Sequence, residues 1–183
     1  MEYSDLDAVV TGIGPGPFTG LRVGMATASA LADALSIPLH GVCTHDAIAH
    51  AAGLHANPAD AGSEATAFVA TDARRKEIYW ATYRATDSGV QRIFGPEVNK
   101  PAEIEVELTS TAEVIIPERL ATQLPEKLTM LPHRAAHPTA AALVAVADLN
   151  AEPAPVAPLY LRRPDAVPPK QQQLSAAIPK VEL

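Results

Sequence analysis

Apolar residues along this chain fall into short runs whose spacing switches between strand and helix periods. Leu6 to Val10 reads as a buried strand, and Leu21 to Leu35, rich in Ala and Leu, as a helix. Ser36-Ile37-Pro38 stops that helix, Pro38 to Val42 crosses as a second strand, and Asp46 to Ala52 continues as a second helix. The succession is a βαβα unit, which favours a parallel or mixed sheet with a right-handed crossover. Gly53 to Glu64 has no apolar period and reads as a link between two lobes. Ala65 to Asp72 and Glu77 to Arg84 then predict an antiparallel hairpin, with Val90 to Val98 as a third strand and Ile78, Trp80 and Tyr83 as bulky candidates for core or rim. Past Asn99 the pattern weakens. It predicts a helix over Pro101 to Leu108, a strand over Val114 to Ile116 and a helix over Glu118 to Leu124. Thr139 to Leu149 is a clearer helix, expected on the second lobe. Ala151 to Pro158 is a proline-spaced connector, Leu159 to Leu161 a short returning segment, and Pro164 to Leu183 reads as a disordered tail.

Between the first strand and the first helix runs Gly12-Ile13-Gly14-Pro15-Gly16-Pro17-Phe18-Thr19-Gly20-Leu21-Arg22-Val23-Gly24. Its glycines and prolines allow φ values of both signs, so the backbone can fold back tightly, and Thr19 stands where an N-cap belongs. A glycine-rich turn at a helix start makes Gly14, Gly16 and Thr19 a candidate anion or nucleotide turn. The alternative is a turn that needs glycine only for its backbone. The spacing is not that of a P-loop, for no Lys followed by Ser or Thr closes it, and no acidic residue ends a following strand as in a dinucleotide fingerprint.

On the following helix, Gly20, Gly24, Ala28 and Ala32 recur every fourth residue and form a stripe almost without side chains, flanked by Leu21, Met25, Leu31 and Leu35. Another helix can approach such a stripe closely. The stripe serves equally a partner protein or the chain's own sheet.

Composition narrows this picture in three ways. With 183 residues, 48% of them hydrophobic, the chain can bury a substantial core as one domain or two small lobes. A formal charge of −7 argues against a protein that grips nucleic acid alone, so any nucleic acid is expected to be held mainly by a partner. The single Cys43 cannot form an internal disulfide and, with no leader or long apolar run in the sequence, points to the cytoplasm.

Candidate chemistry is sparse. Histidines recur at 40, 45, 50 and 55, but steps of five turn by about 140° on a helix, so neighbours do not share a face. His133 and His137 have an i, i+4 spacing, yet no Glu follows His133 and prolines bracket the pair. Cys43 reads as a small buried hydrophobe, and neither a metal-ligand set nor a cofactor motif is legible. Asp72, at a strand end, is the leading acidic candidate, either orienting a ligand or holding its own turn. The turn that follows, Ala73-Arg74-Arg75-Lys76, has three cations but no glycine, which argues against a backbone cradle for phosphate.

Three segments, in order, resemble one family. Gly14-Pro15-Gly16-Pro17-Phe18-Thr19-Gly20-Leu21-Arg22-Val23-Gly24 is similar to the signature of the bacterial TsaB (YeaZ) proteins, whose usual form has Ser in place of Pro17. Thr71-Asp72-Ala73-Arg74-Arg75-Lys76-Glu77-Ile78-Tyr79-Trp80 resembles that family's Asp-Ala-Arg hairpin, including Asp72 and Arg74, and Pro158-Leu159-Tyr160-Leu161-Arg162 resembles its closing segment. The resemblance implies an α/β actin-like, sugar-kinase-like (ribonuclease H-like) fold. It implies a non-catalytic subunit of the machinery that forms threonylcarbamoyladenosine beside the anticodon of certain tRNAs, without a cofactor of its own. The implied partners are a TsaD-type catalytic relative and a TsaE-type ATPase, with pairing to a second copy as a further option. The helix after the turn would supply the contacts through Gly20, Leu21, Gly24, Ala28, Leu31, Ala32 and Leu35. The alternative within this fold is a nucleotide-binding or glycoprotease-like hydrolase. Family members carry strands and a helix ahead of Leu6, so residues 1–60 are expected to be the remainder of a first lobe, 61–164 a second lobe and 165–183 the tail. A truncated or mis-started chain is the corresponding expectation.

Overall fold

The computed structural model describes residues 2–54, 65–87, 89–108 and 112–162. The sequence expectation for a tail lies outside these residues, as does most of the expected link.

Strand β1 (Val9–Gly14) and strand β2 (Leu39–Cys43) pair in parallel, joined by helix α1 (Phe18–Leu35). Strand β1 begins later than the apolar run and continues through Thr11, Gly12 and Gly14, because it is the backbone of β2, not side-chain apolarity, that holds these residues extended. Helix α1 likewise starts earlier than its pattern. Its N-cap is Pro17 without a side-chain cap bond, so Thr19 lies inside the first turn rather than capping it. Ser36 ends the helix in the left-handed region, its N–H reaching the carbonyls of Ala32 and Asp33. Helix α2 (Thr44–Ala51) follows β2 without a loop.

The second sheet has the order β5-β4-β3-β6-β7. Strands β3 (Thr66–Arg74), β4 (Glu77–Thr86) and β5 (Gly89–Asn99) form an antiparallel meander, and β6 (Glu113–Ile115) and β7 (His133–Arg134) extend it in parallel. Both faces of the central strands are buried, and the period of two sorts their side chains. Ala67, Val69, Ala81, Tyr83 and Ala85 pack with Ile48, Ala49 and Ala52 of α2. Phe68, Ala70, Ile78 and Trp80 pack with Val114 and Ile116 and with the short helices α3 (Glu118–Ala121) and α4 (Glu126–Thr129) through Leu120 and Leu128.

Where the pattern weakened, the structure departs from it. Pro101–Glu103 is only a single 3₁₀ turn. Ile104, Val106 and Leu108 then alternate with glutamates and lie against the Phe68 core, a two-residue period that a helix reading overlooks. Helix α5 (Ala140–Ala145) is capped by Thr139, whose Oγ1 accepts from the Ala142 N–H at 3.1 Å. It packs on α2 and β1 rather than on the five-stranded sheet. Among the described residues, no helix is long and apolar enough to cross a membrane.

The edge strand β5 depends on Gly95. Its φ of +85° favours glycine, and a Cβ there would stand 2.8 Å from the Trp80 carbonyl oxygen and 3.1 Å from Ala81 Cα. Relief would require two backbones to part. Gly95→Ala is expected to cost on the order of 2–4 kcal/mol, read as a lower urea midpoint at unchanged slope. A midpoint that stays put would refute this account of the strand.

Candidate functional site

Most residues of helix α1 are exposed. Of its eighteen residues only Met25 and Ala32 are buried, and they hold it against β1 and β2. A Cβ built on Gly20 or Gly24 meets no atom within 4 Å, so the first half of the small-residue stripe faces open space. Val23 is 62% and Leu31 36% exposed, whereas Leu21 and Leu35 are half-buried. The stripe is not uniform: Ala28 is half-buried and Ala32, at 3% exposure, sits inside the chain's own fold. Spacing alone leaves all four open either to a partner or to the chain's own sheet. The last turn of that stripe packs within the chain's own fold.

The three sequence motifs, far apart along the chain, meet at one end of the molecule. The Leu159 N–H donates to the Ile13 carbonyl at 2.7 Å, and Tyr160 stacks on Phe18 with ring centroids 4.9 Å apart. Arg22 lies over the Phe18 ring at 4.0 Å and donates through Nε to the Tyr160 hydroxyl at 2.8 Å. Two residues on, Arg162 Nη1 donates to the Ala73 carbonyl at 3.1 Å and pairs with Glu77 at 3.5 Å. The closing segment therefore ties the glycine turn to the β3–β4 hairpin. Gly14 has φ +110°, and a Cβ there would stand 3.1 Å from the Leu159 carbonyl oxygen, so the close approach it permits is to the chain's own closing segment. Gly16 is half-buried with open space where a Cβ would be, and Thr19 is exposed.

At the hairpin, Asp72 holds its own turn: Oδ1 accepts from the Arg74 N–H at 2.7 Å and Oδ2 from Arg119 at 2.8 Å. Burial of the carboxyl works against its charge, but these hydrogen bonds and the two guanidinium charges prevail and hold it below the usual carboxylate range. Arg74, Arg75 and Lys76 all have positive φ, at 66°, 52° and 63°. Side chains with a Cβ adopt this conformation at roughly 1–2 kcal/mol each. The sequence contains no glycine to announce it.

A second polar cluster joins α2 to β4 and β5, and nothing in the spacing pointed to it. The Tyr83 hydroxyl donates to Asp46 Oδ1 at 2.8 Å, and Arg92 pairs with the same oxygen at 3.5 Å. Burial and the Asp46 charge push the Tyr83 hydroxyl and the Cys43 thiol above their ordinary values, so Cys43 is no activated nucleophile. His45, fully buried, lies 2.8 Å from Thr71 Oγ1 through Nε2. His40 is buried and His50, His133 and His137 are exposed, while His55 lies outside the described residues. Among the described residues no three His, Cys, Asp or Glu side chains converge as a metal site.

Known proteins resemble the chain as follows. Residues 1–151 match the family described as "TsaD: tRNA N6-adenosine threonylcarbamoyltransferase". An "Uncharacterized protein" of Mycobacterium leprae (strain TN) is 48% identical over 172 residues, which is 92% of this chain and 41% of that one. The "tRNA threonylcarbamoyladenosine biosynthesis protein TsaB" of Escherichia coli is 37% identical over 103 residues, 53% of this chain and 42% of that one. The chain thus spans less than half the length of either relative. Among solved structures, "YeaZ from Pseudomonas aeruginosa" superposes with a TM-score of 0.64 at 26% identity, covering 79% of this chain and 66% of the other.

Proposed function

We infer a function from the premise that this chain belongs to the TsaB (YeaZ) family and carries its actin-like, sugar-kinase-like α/β fold. Its role is that of a subunit in the formation of threonylcarbamoyladenosine on tRNA. The chain acts there as a scaffold that activates a TsaD-type catalytic relative, with a TsaE-type ATPase as a third component and without chemistry of its own. Pairing with a second copy through the same helix is the competing use of that surface. On this reading it works in the cytoplasm.

The observation that carries this reading is the open half of helix α1, where Gly20 and Gly24 leave room for a neighbouring helix beside the exposed Val23 and Leu31. Interaxial distances shorten toward about 8 Å when the residues between two helices are small, and a seam of this kind excludes water effectively. The three motifs support it from behind: Arg22, Phe18 and Tyr160 brace the start of the helix against the rest of the chain.

Reconstitution tests the role. Purified chain, catalytic relative, ATPase, unmodified tRNA, ATP and threonylcarbamoyl adenylate as the activated donor are expected to yield the modified nucleoside, with AMP released, by mass spectrometry. Omission of this chain should lower the yield at least tenfold. The chain alone with the same small molecules and tRNA should give none. Full modification without it would end the scaffold reading.

A further inference from the structure

We propose that the tip of the β3–β4 hairpin, Arg74-Arg75-Lys76, grips the phosphate backbone of an RNA, so that the chain touches tRNA directly as well as docking through α1. The proposal rests on the tRNA-modification reading above and adds to it a nucleic-acid contact surface.

Net charge conceals this patch. The chain as a whole is acidic, at −7, yet the tip gathers Arg74, Arg75, Lys76, Arg119 and Arg162 about two carboxylates, Asp72 and Glu77. Those carboxylates are recessed, at 20% and 27% side-chain exposure, and each is already engaged by an arginine from another element. The three turn residues, by contrast, are all exposed. The exposed cations of the tip therefore stand outside the recessed Asp72 and Glu77.

The backbone adds a second observation. Three successive left-handed residues without glycine hold the tip in one shape, and that shape is braced by the Asp72–Arg74 bond beneath it and by Arg162 on Ala73. Because the Arg74 N–H is already taken by Asp72, the tip is no backbone nest for a single phosphate. The contacts must come from side chains, which suits a repeated phosphate backbone. An acidic protein is the other occupant that charge alone would allow. Protein interfaces surround their charges with apolar area, however, and the tip itself, residues 73–76, carries no large hydrophobic side chain, the nearest exposed ones being Tyr160 in the closing segment and its stacking partner Phe18. The chemistry fits RNA better.

The test uses the full chain and a fluorescein-labelled unmodified tRNA transcript, with anisotropy read from 50 to 300 mM KCl. The variant is Arg74→Asn with Lys76→Asn, since Asn accepts the left-handed region more readily than Arg or Lys and only charge is removed. Lys127→Asn, on α4, is the control. Removal of two phosphate contacts should reduce the slope of log affinity against log salt by about 1.4–1.8 and weaken binding at least tenfold near 0.1 M salt. The control should stay within twofold. Unchanged slope and affinity in the double variant, or no binding by the wild-type chain at 50 mM, overturns the proposal. So does a double variant that binds RNA normally but no longer co-purifies with the catalytic relative, which would mark the tip as a protein contact. If tip-dependent RNA binding holds while reconstitution proves indifferent to this chain, only the scaffold reading fails.

Discussion

Gly24→Arg is expected to leave the isolated chain folded and to abolish its association with the catalytic relative. A Cβ at Gly24 meets no atom within 4 Å, so the longer side chain enters solvent rather than the chain's own core. Replacement of a mid-helix glycine also raises helix propensity by up to about 1 kcal/mol, so the melting temperature should hold or rise slightly. In a close helix seam the same side chain leaves a guanidinium buried without a partner or holds the helices apart. Either effect should weaken binding a hundredfold or more, about 2.7 kcal/mol. Co-elution on size exclusion and calorimetric affinity read the first effect, and circular dichroism melting the second. Ala32→Arg serves as contrast: at 3% exposure Ala32 lies within the fold, so this change should unfold the chain rather than merely uncouple it. Co-elution undiminished in a folded Gly24→Arg protein would remove α1 from the interface.

Acid should unfold the chain largely through His45. The ring is fully buried, and burial first, then the nearby Arg92 charge, hold its pKa down at about 3. Nδ1 has no hydrogen-bond partner among the described residues, so protonation would also bury an unanswered N–H. Because the folded pKa is depressed, the unfolded chain binds the proton first. The stabilisation is complete above the unfolded value near 6.5 and is lost as pH falls toward 3. A shift of this size corresponds to roughly 4–5 kcal/mol, a large part of the usual 5–15 kcal/mol of a folded domain. Asp72, also depressed, acts in the same direction but only below the ordinary carboxylate range, which leaves pH 6.5 to 4.5 to the histidine. His45→Gln should be less stable at pH 7 by about 1–2 kcal/mol through a poorer fit against Thr71, yet lose less stability down to pH 4.5, so the two curves converge. Equal slopes for both proteins across that window, in urea melts at fixed pH, would sink the assignment.

Much of this was legible in the residues. Alternation of apolar runs specified the strand-helix-strand opening, and the β3–β4 hairpin is carried by β-branched and aromatic residues whose period of two assigns them to opposite faces. The glycine turn, the Asp-Ala-Arg hairpin and the Tyr-Leu-Arg closing segment identified the family, because each constrains backbone or contacts tightly enough to persist as a motif. The stripe on α1 was visible from spacing alone, since a helix has one geometry wherever it lies.

Tertiary structure decided the rest. Periodicity says which face of an element is apolar, not which neighbour covers it. Spacing could therefore not tell that Ala32 is inside and Gly24 outside, nor that α5 returns to α2 and β1. Backbone pairing with a distant strand, invisible to a local window, extended β1 through its glycines and created the two-residue β7. The Asp46–Tyr83–Arg92 cluster and the Arg119 partner of Asp72 depend on contacts between residues tens of positions apart. Local sequence determines what each segment can become. Only the closure of the chain on itself determines which side chains meet, because those energies belong to pairs that no stretch of sequence contains.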